Sequence, residues 1–138
     1  MFQYKVNFMS PVKIIKETIH LMEKGHIAVV TSIVALICGG TDMATYSSTK
    51  YALYSFVNSF RQELLASNRK TTISMGCPYM IRTGMFDGFK TKIDFLFKQL
   101  EPTYVGKRLV REFMQKKDIC YVYEYEALAF KVASLFPT

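Results

Sequence analysis

Two side chains near the middle of the chain have the spacing of an acid/base pair. Tyr46 and Lys50 stand four residues apart where a helical pattern begins, so both can approach one ligand from the same side of a helix. A phenol has an ordinary pKa of about 10, and a neighbouring ammonium group favours the phenolate and lowers that pKa. Tyr46 is therefore a candidate general acid/base, a role that contributes roughly 10² to 10⁴ in rate. Because any helix can carry Tyr-x-x-x-Lys by chance, the pair needs support from the surrounding elements.

Two predicted strands end close to this helix in sequence. Residues 27–31 and 72–77 are short, β-branched apolar runs without polar alternation, a pattern that favours strands buried on both faces of a parallel sheet. Ser32 follows the first run and Pro78 follows the second. Because ligands bind outside the carboxyl ends of strands in open parallel sheets, we expect the two loops to face one crevice.

The rest of the chain alternates helix with strand, which predicts an α/β fold with parallel pairing and right-handed crossovers. Apolar residues recur at three- and four-residue steps over residues 6–23 and 44–67, which predicts two long helices. Pro11 lies near the start of the first helix, Gly25 is expected to end it, and Asn68 is expected to end the second. Further on, the pattern predicts an irregular segment at 79–92, helices near 93–100 and 102–116, a strand at 119–123 and a last helix at 124–136.

Length and composition indicate one domain with a core. The chain has 138 residues, and no run approaches the eighteen or so uninterrupted apolar residues that a membrane-spanning helix needs, so it is expected to be soluble or peripheral. Cys38, Cys77 and Cys120 match neither a disulfide framework nor a zinc site, which indicates reduced thiols in an intracellular protein. His20 and His26 have no cysteine nearby, so no metal site is predicted.

The net charge of +7 leaves two interpretations of the surface open. Most Lys and Arg residues alternate with acidic residues in helical patterns, which indicates ordinary solvated faces. Nucleic-acid binding is not predicted, because it would require a clustered patch with interleaved aromatic residues. The last third of the chain is denser in positive charge, and contact with an anionic membrane surface is the alternative there. The residues concerned are Lys90, Lys92, Lys98, Lys107, Arg108, Arg111, Lys116 and Lys117.

Four features stand in a fixed order along the chain. Ser32 ends a buried strand, the run Tyr-Ser-Ser-Thr-Lys from Tyr46 to Lys50 opens the next helix, Pro78 ends the following strand, and Thr83 comes five residues later. Together these features resemble the short-chain dehydrogenase/reductase family.

The resemblance extends from about residue 6 to the C-terminus. Residues 77–86, with Val-Asn-Phe at 6–8, are most similar to the branch that contains retinol dehydrogenases and hydroxysteroid dehydrogenases of the 16C type. The resemblance implies that the chain folds as the C-terminal part of a Rossmann-like, doubly wound parallel sheet.

The resemblance also implies a role for each matching residue. Tyr46 would exchange a proton with the substrate oxygen, which Ser32 would hold. Lys50 would bind the nicotinamide ribose hydroxyls and lower the pKa of Tyr46, and Asn7 would support Lys50 through a water relay. These four residues are the predicted catalytic set.

NAD or NADP is the cofactor that the resemblance implies. Tyr46 and Lys50, with Pro78 and Thr83, would form the nicotinamide end of its site, and Thr83 would bond the carboxamide. The cofactor carries the hydride and the protein orients it. The implied substrate is a lipophilic alcohol or its aldehyde or ketone, of retinoid or steroid type. The implied location is the endoplasmic reticulum membrane or the lipid droplet, whereas the chain alone suggests a cytoplasmic protein.

The chain departs from the family pattern in its spacing. Ser32 comes fourteen residues before Tyr46 rather than the usual thirteen, so that Ile33 occupies the usual position. Tyr79 stands where many relatives have glycine, although this branch often has Tyr there. The turn around residues 24–25 looks about three residues short.

No Gly-x-x-x-Gly-x-Gly turn occurs in the 138 residues. In the family this turn and the helix after it bind the cofactor pyrophosphate through backbone N–H groups. We therefore expect residues 1–138 to be a partial domain, the catalytic half without the dinucleotide-binding half. The strand at 27–31 would then have an unpaired apolar edge.

Two other outcomes stay open at this point. The chain could be a non-catalytic module that forms a homodimer, or a heterodimer with a full-length relative, through the helices at 6–23 and 44–67. Alternatively, it could lack a folded state, which circular dichroism would reveal as the absence of a cooperative melting transition.

Overall fold

The computed structural model describes residues 1–37, 41–84 and 99–122. Within these residues a parallel sheet of three strands has helices packed on both faces. The strands are β1 (Lys24–Val30), β2 (Lys70–Cys77) and β3 (Ile119–Tyr121), and β2 lies in the middle. The parallel pairs and the alternation of helix with strand confirm the predicted α/β class.

Helices precede or connect the strands. The N-terminal helix is continuous over residues 2–21, α3 (Ala44–Ala66) lies between β1 and β2, and α4 (Pro102–Met114) precedes β3. A 3-10 turn (Ile33–Ala35) follows β1. The N-terminal helix consists of α1 (Phe2–Tyr4), a π-helical segment (Lys5–Met9), α2 (Ser10–Thr18) and a 3-10 turn (Ile19–Leu21).

The N-terminal helix begins four residues earlier and ends two residues earlier than predicted. Pro11 was expected near its start, but the helix continues on the N-terminal side of Pro11 through the π-helical segment. There the backbone N–H of Ser10 and its hydroxyl both donate to the carbonyl of Lys5, the hydroxyl at 2.8 Å. Pro11 has no N–H, so the ordinary α-helical bond to the carbonyl of Asn7 cannot form. The helix therefore changes its hydrogen-bond register beside Asn7.

β1 differs from its prediction in length and burial. Gly25 does not end the helix but lies inside the strand, where an added Cβ would collide with the Met22 methyl group. Glycine thus permits the close passage from helix to strand. Burial on both faces was a wrong prediction, because Ala28 and Val30 are exposed while Val29 is buried. In the described part of the chain, β1 pairs with β2 alone and its other edge is open.

The second helix and second strand agree closely with the predictions. α3 spans all but the last of residues 44–67, and Asn68 follows it with a φ of 54°, the left-handed geometry that commonly ends a helix. β2 begins two residues before the predicted start and is buried over most of its length, as a central strand should be.

The C-terminal part agrees in part. α4 and β3 match the predicted helix at 102–116 and strand at 119–123 within two residues. Leu100 is not helical but forms an isolated bridge with Ile81. Except for positions 99 and 100, the predicted helix near 93–100 lies outside the described residues. So do residues 85–92 of the irregular segment, residue 123 and the predicted helix at 124–136.

The core is divided between the two faces of the sheet. On one face the N-terminal helix and α3 pack against β1 and β2, and on the other α4 packs against β2 and β3. Gly76 in β2 lets α4 approach, because an added Cβ would stand 2.9 Å from Phe113 and 3.0 Å from Leu109. The buried residues of the first face are Ile15, Val29, Leu53, Val57, Phe60, Leu64, Ile73, Met75 and Cys77, and those of the second include Val105, Leu109, Cys120 and Val122.

Two cysteines are buried on opposite sides of the sheet. Cys77 packs with α3 and Cys120 packs with α4, and both are free thiols. Burial raises the pKa of Cys77 to about 12 and that of Cys120 to about 11. Cys38 lies outside the described residues.

The part of the chain that the structure describes has neither a metal-binding cluster nor a membrane-spanning helix. No cluster of three or more His, Cys, Asp or Glu side chains there could hold a metal ion. None of the helices in residues 1–37, 41–84 and 99–122 is both long and apolar enough to cross a membrane.

The packing of the core beneath α3 can be tested by a substitution at Leu53. Its side chain is 2% exposed, so Leu53→Ala should lower the free energy of unfolding by about 2 to 5 kcal/mol through lost burial and the remaining cavity. Urea unfolding followed by circular dichroism measures the change. Leu65→Ala is the matched control, because Leu65 is 65% exposed on the same helix and should change stability by less than about 0.5 kcal/mol. Equal effects of the two substitutions, or the absence of a cooperative transition in the unmodified chain, would contradict this packing.

Candidate active site

Parallel pairing of β1 and β2 brings the two predicted loops together. Val30 is in register with Gly76, so both strands end at the same edge of the sheet. The N–H of Ile33 donates to the carbonyl of Pro78 at 3.0 Å, which joins the loop after β1 to the loop after β2. The expectation that Ser32 and Pro78 lie at one edge of the sheet is confirmed.

Two threonines fix the first two turns of α3, which carry Tyr46 and Lys50. Thr49 is fully buried, and its hydroxyl donates to the carbonyl of Tyr46 at 2.7 Å. Thr31 is 3% exposed, and its hydroxyl donates to the carbonyl of Lys50 at 3.1 Å, which ties the helix to the end of β1. Neither threonine was assigned a role from the sequence. The sequence does contain a signal for Thr49, because a threonine three positions after Tyr46 can donate a hydrogen bond to the carbonyl of the preceding turn.

Asn7 contacts this turn from the N-terminal helix. Its side-chain amide donates to the hydroxyl of Thr49 at 3.2 Å, one residue before Lys50. Close by, the Tyr4 and Ser48 hydroxyls lie 2.8 Å apart. Asn7 is thus placed beside the segment that holds Tyr46 and Lys50, at the point where the N-terminal helix changes register.

A cleft of about 390 Å³ connects Asn7 and Lys50. Both side chains line it, together with apolar residues from the N-terminal helix, β1 and α3. It extends along β1, whose open edge was expected. The apolar lining includes Val6, Ile14, Ile15, Ile27, Val29 and Leu53.

Ser32 and Tyr46 interact despite the extra residue between them. Ser32 is buried, makes a side-chain hydrogen bond to Tyr46, and also accepts the N–H of Val34 at 3.4 Å. Ile33, at the position where the family usually has serine, is 4% exposed. The loop therefore directs the serine toward the tyrosine and the isoleucine into the protein.

The electrostatics of Tyr46 differ from the prediction. Burial raises the pKa of Tyr46 above its ordinary value, and the hydrogen bond with Ser32 opposes this rise only in part. Lys50 Nζ lies over the tyrosine ring, 5.6 Å from its centroid, in a cation–π arrangement. The expected net lowering of the Tyr46 pKa by Lys50 is wrong for this structure, because desolvation is the largest effect. Burial also lowers the pKa of Lys50.

The two remaining predicted site residues, Pro78 and Thr83, lie in different environments from each other. Pro78 is buried and its carbonyl joins the two loops, as described. Thr83 is exposed, and its N–H and hydroxyl both donate to the carbonyl of Ile81, at 2.8 and 3.4 Å. The structure therefore brings Ser32, Tyr46 and Lys50 together with Asn7 beside them, whereas the hydroxyl of Thr83 is engaged within its own turn.

Comparison with known proteins shows the family of this chain. A family model described as short chain dehydrogenase matches residues 3–94, more than half of the chain. The chain belongs to the short-chain dehydrogenase family. Within the family it groups with retinol dehydrogenases, as the sequence predicted. Epidermal retinol dehydrogenase 2 of Mus musculus is 29% identical over 97% of this chain, and the Homo sapiens protein of that name is 33% identical over 72%.

The match covers only part of these relatives. This chain spans 44% of the mouse protein and 32% of the human protein. Retinol dehydrogenase 10 of Xenopus tropicalis is 32% identical over 67% of this chain, which corresponds to 28% of its own length. The chain thus spans less than half the length of these curated relatives.

Solved structures of short-chain dehydrogenases share the fold. A Burkholderia phymatum protein in complex with NAD superposes with a TM-score of 0.77 at 16% identity, over 93% of this chain and 54% of that chain. A Burkholderia cenocepacia protein in complex with NADP superposes with a TM-score of 0.76 at 20% identity, over 94% and 52%. These likenesses confirm the Rossmann-like fold.

The hydrogen bond between Ser32 and Tyr46 can be tested in this short-chain dehydrogenase. Ser32→Ala removes the interaction that lowers the Tyr46 pKa and leaves the burial that raises it, so the pKa should move further up. NMR titration of tyrosines labelled at Cζ measures this value, with Tyr46→Phe identifying the resonance. Ser48→Ala is the control, because Ser48 lies on the same turn and bonds Tyr4 and the carbonyl of Thr45 instead. An unchanged or lowered pKa in the Ser32 variant would contradict the described contact.

The raised pKa has a defined consequence for stability. A group whose folded-state pKa lies above its unfolded value contributes stability that is fully present below the unfolded pKa and is lost as the pH rises through the folded pKa. The free energy of unfolding should therefore fall because of Tyr46 only in the alkaline range, between the unfolded and the folded pKa of this group. The Ser32→Ala variant should extend that pH range upward.

Proposed function

We propose that this chain supplies the catalytic half of an NAD(P)-dependent oxidoreductase that interconverts a lipophilic alcohol and its aldehyde or ketone. The observation that carries the proposal is the group formed by Ser32, Tyr46 and Lys50, in which a serine bonds a half-buried phenol and an ammonium lies over its ring. The names of the curated relatives favour a retinoid as substrate, with a steroid as the other member of the implied class.

Tyr46 is the proposed proton carrier. In reduction its phenol donates a proton to the carbonyl oxygen as that oxygen becomes a hydroxyl, and in oxidation its phenolate accepts the proton of the alcohol. Ser32, already in contact with the phenol, can donate a hydrogen bond to the same substrate oxygen. A tyrosine with an ordinary or raised pKa is a phenol at neutral pH, so the proposed resting form of Tyr46 is the proton donor.

The donor set fits the nicotinamide end of NAD(P), which supplies or accepts the hydride when bound. Lys50 and Asn7 line one cleft, and the family resemblance would assign the Lys50 ammonium to the ribose hydroxyls. Thr83 is exposed and would have to exchange its bond with Ile81 for one to the carboxamide. The 138 residues contain no glycine-rich turn for the pyrophosphate, so we expect weak binding of the whole dinucleotide by this chain.

The Tyr46 proposal is tested by cofactor binding and turnover. Calorimetric titration with NADH and NADPH should show weak but measurable binding, and no heat at millimolar cofactor would show that this chain does not bind the cofactor by itself. If cofactor binds, retinol oxidation followed by NAD(P)H absorbance should fall roughly 10² to 10⁴-fold in Tyr46→Phe. Tyr51→Phe is the matched control, because Tyr51 lies on the same helix and is 60% exposed. Equal activity of the two variants would contradict the role of Tyr46.

A second function is favoured by the exposed faces of the long helices. Tyr51 and Leu65 are 60% and 65% exposed, and their fourteen-residue separation, about four turns, places them on one side of α3. The N-terminal helix exposes Phe2, Met9 and Ile14. Such apolar side chains suit a homodimer, or a heterodimer with a full-length relative, that uses the helices at 6–23 and 44–67.

Light scattering after size exclusion tests this association. The chain alone, and mixed with mouse epidermal retinol dehydrogenase 2, should elute as a dimer, and Tyr51→Asp with Leu65→Asp should convert it to a monomer. Lys107→Gln with Arg111→Gln, two exposed positions on α4 at the opposite face of the sheet, should leave the dimer intact. A folded monomer that ignores the relative would exclude this function and leave the enzymatic proposal unaffected.

The same class of substrate supports a proposed location at a lipid phase. Retinoids and steroids partition into membranes, so we propose contact with the endoplasmic reticulum membrane or a lipid droplet. A peripheral contact is sufficient for that location and requires a suitable surface.

A further inference from the structure

The outward side of α4 combines positive charge with exposed apolar side chains. Tyr104, Lys107, Val110, Arg111 and Met114 follow one another at intervals of one to four residues that place them within one third of the helix circumference. All five are exposed, and Val110 and Met114 reach 61% and 81%. The opposite side of the helix is buried against the sheet and consists of Val105, Leu109 and Glu112.

The exposed side of α4 has no negative charge of its own. Glu112 is the only acidic residue in the helix, and it is 3% exposed on the buried side. It pairs with Arg108 at 3.1 Å and with Lys117 at 2.5 Å, and these charges lower its pKa. Within the described helix, Lys107 and Arg111 therefore lie among apolar side chains with no exposed carboxylate beside them.

This pattern differs from an ordinary solvated helix face. Solvated faces carry both signs of charge, whereas here cationic and apolar side chains alternate and carboxylates are absent. A helix that lies in a membrane interface has this composition, because its apolar side chains enter the boundary of the acyl chains while Lys and Arg meet anionic headgroups. The helix spans thirteen residues, so it could lie on a bilayer but not cross one.

We propose that the exposed side of α4 is a docking surface for an anionic lipid bilayer. Charge complementarity and the exposed Val110 and Met114 together select this occupant. A nucleic acid would bind the positive charges without contacting the aliphatic side chains. Binding to a protein partner would not depend on the presence of lipid.

The docking surface is separate from the rest of the proposed function. α4 packs on the face of the sheet opposite to α3, so docking leaves uncovered the helices proposed for dimerisation. Docking involves no cofactor and no turnover. It supplies the peripheral contact that the proposed location requires, and its test is independent of catalysis.

Vesicle sedimentation of the whole chain tests the docking surface. Binding should be detectable with vesicles of phosphatidylcholine and phosphatidylserine, weaker with phosphatidylcholine alone, and reduced by salt. Lys107→Gln with Arg111→Gln should weaken binding about 25-fold, from about fivefold for each charge. Lys13→Gln with Lys16→Gln removes the same net charge from the N-terminal helix and should leave binding within about twofold. Val110→Ser with Met114→Ser should weaken binding while retaining every charge.

Hydrogen exchange on the unmodified chain provides a measurement without any variant. Vesicles should protect amides of residues 102–114 more than those of α3, and melting curves should show that each variant remains folded. No vesicle binding, or equal loss in the Lys13 and Lys16 control, would overturn the proposal. So would a serine double variant that binds vesicles normally but changes oligomeric state, since this would assign the surface to a protein. Binding to an oligonucleotide as tight as to vesicles, unaffected by the serine substitutions, would assign it to polyanions and also overturn the proposal.

Discussion

The parallel pairing of β1 with β2 determines where every candidate catalytic group lies. Seven residue pairs in register bring the carboxyl ends of the two strands to one edge, where the N–H of Ile33 bonds the carbonyl of Pro78. The hydroxyl of Thr31, one residue beyond β1, then holds the carbonyl of Lys50. A change of register by one residue would turn Val29 out of the core and remove these bonds together. The site is therefore a consequence of sheet geometry as much as of the residues that form it.

Burial is the second constraint on the site. Ser32 and Thr49 can be buried because each has hydrogen-bond partners, and partial burial raises the pKa of Tyr46. Lys50 is drawn over the aromatic ring rather than into water, and its own pKa falls. Burial thus shifts the pKa values of both groups in the direction of their neutral forms. A negatively charged or hydrogen-bonding ligand in the cleft would change that balance.

The sequence predicted the fold better than it predicted the electrostatics. Helical periodicity located α3 to within one residue, and β-branched runs located β2 and β3, because local patterns report these elements directly. Pro11 and Gly25 misled, since each residue type has more than one use: Pro11 follows a π-helical segment and Gly25 permits a close contact inside β1. The partnership of Ser32 and Tyr46 could be expected from their order in the chain. The net direction of the Tyr46 pKa could not, because desolvation depends on packing from distant segments.

The two buried thiols can report when the helices on either face of the sheet move away from it. Cys77 and Cys120 are inaccessible on opposite faces, and their raised pKa values leave little thiolate at neutral pH. Oxidants and alkylating reagents react with the thiolate, so either cysteine becomes reactive only when the helix that covers it moves away. Cys77 would register separation of α3 and Cys120 separation of α4. The reaction rates of Cys77 and Cys120 with a thiol reagent would therefore report how often each layer of the described fold opens.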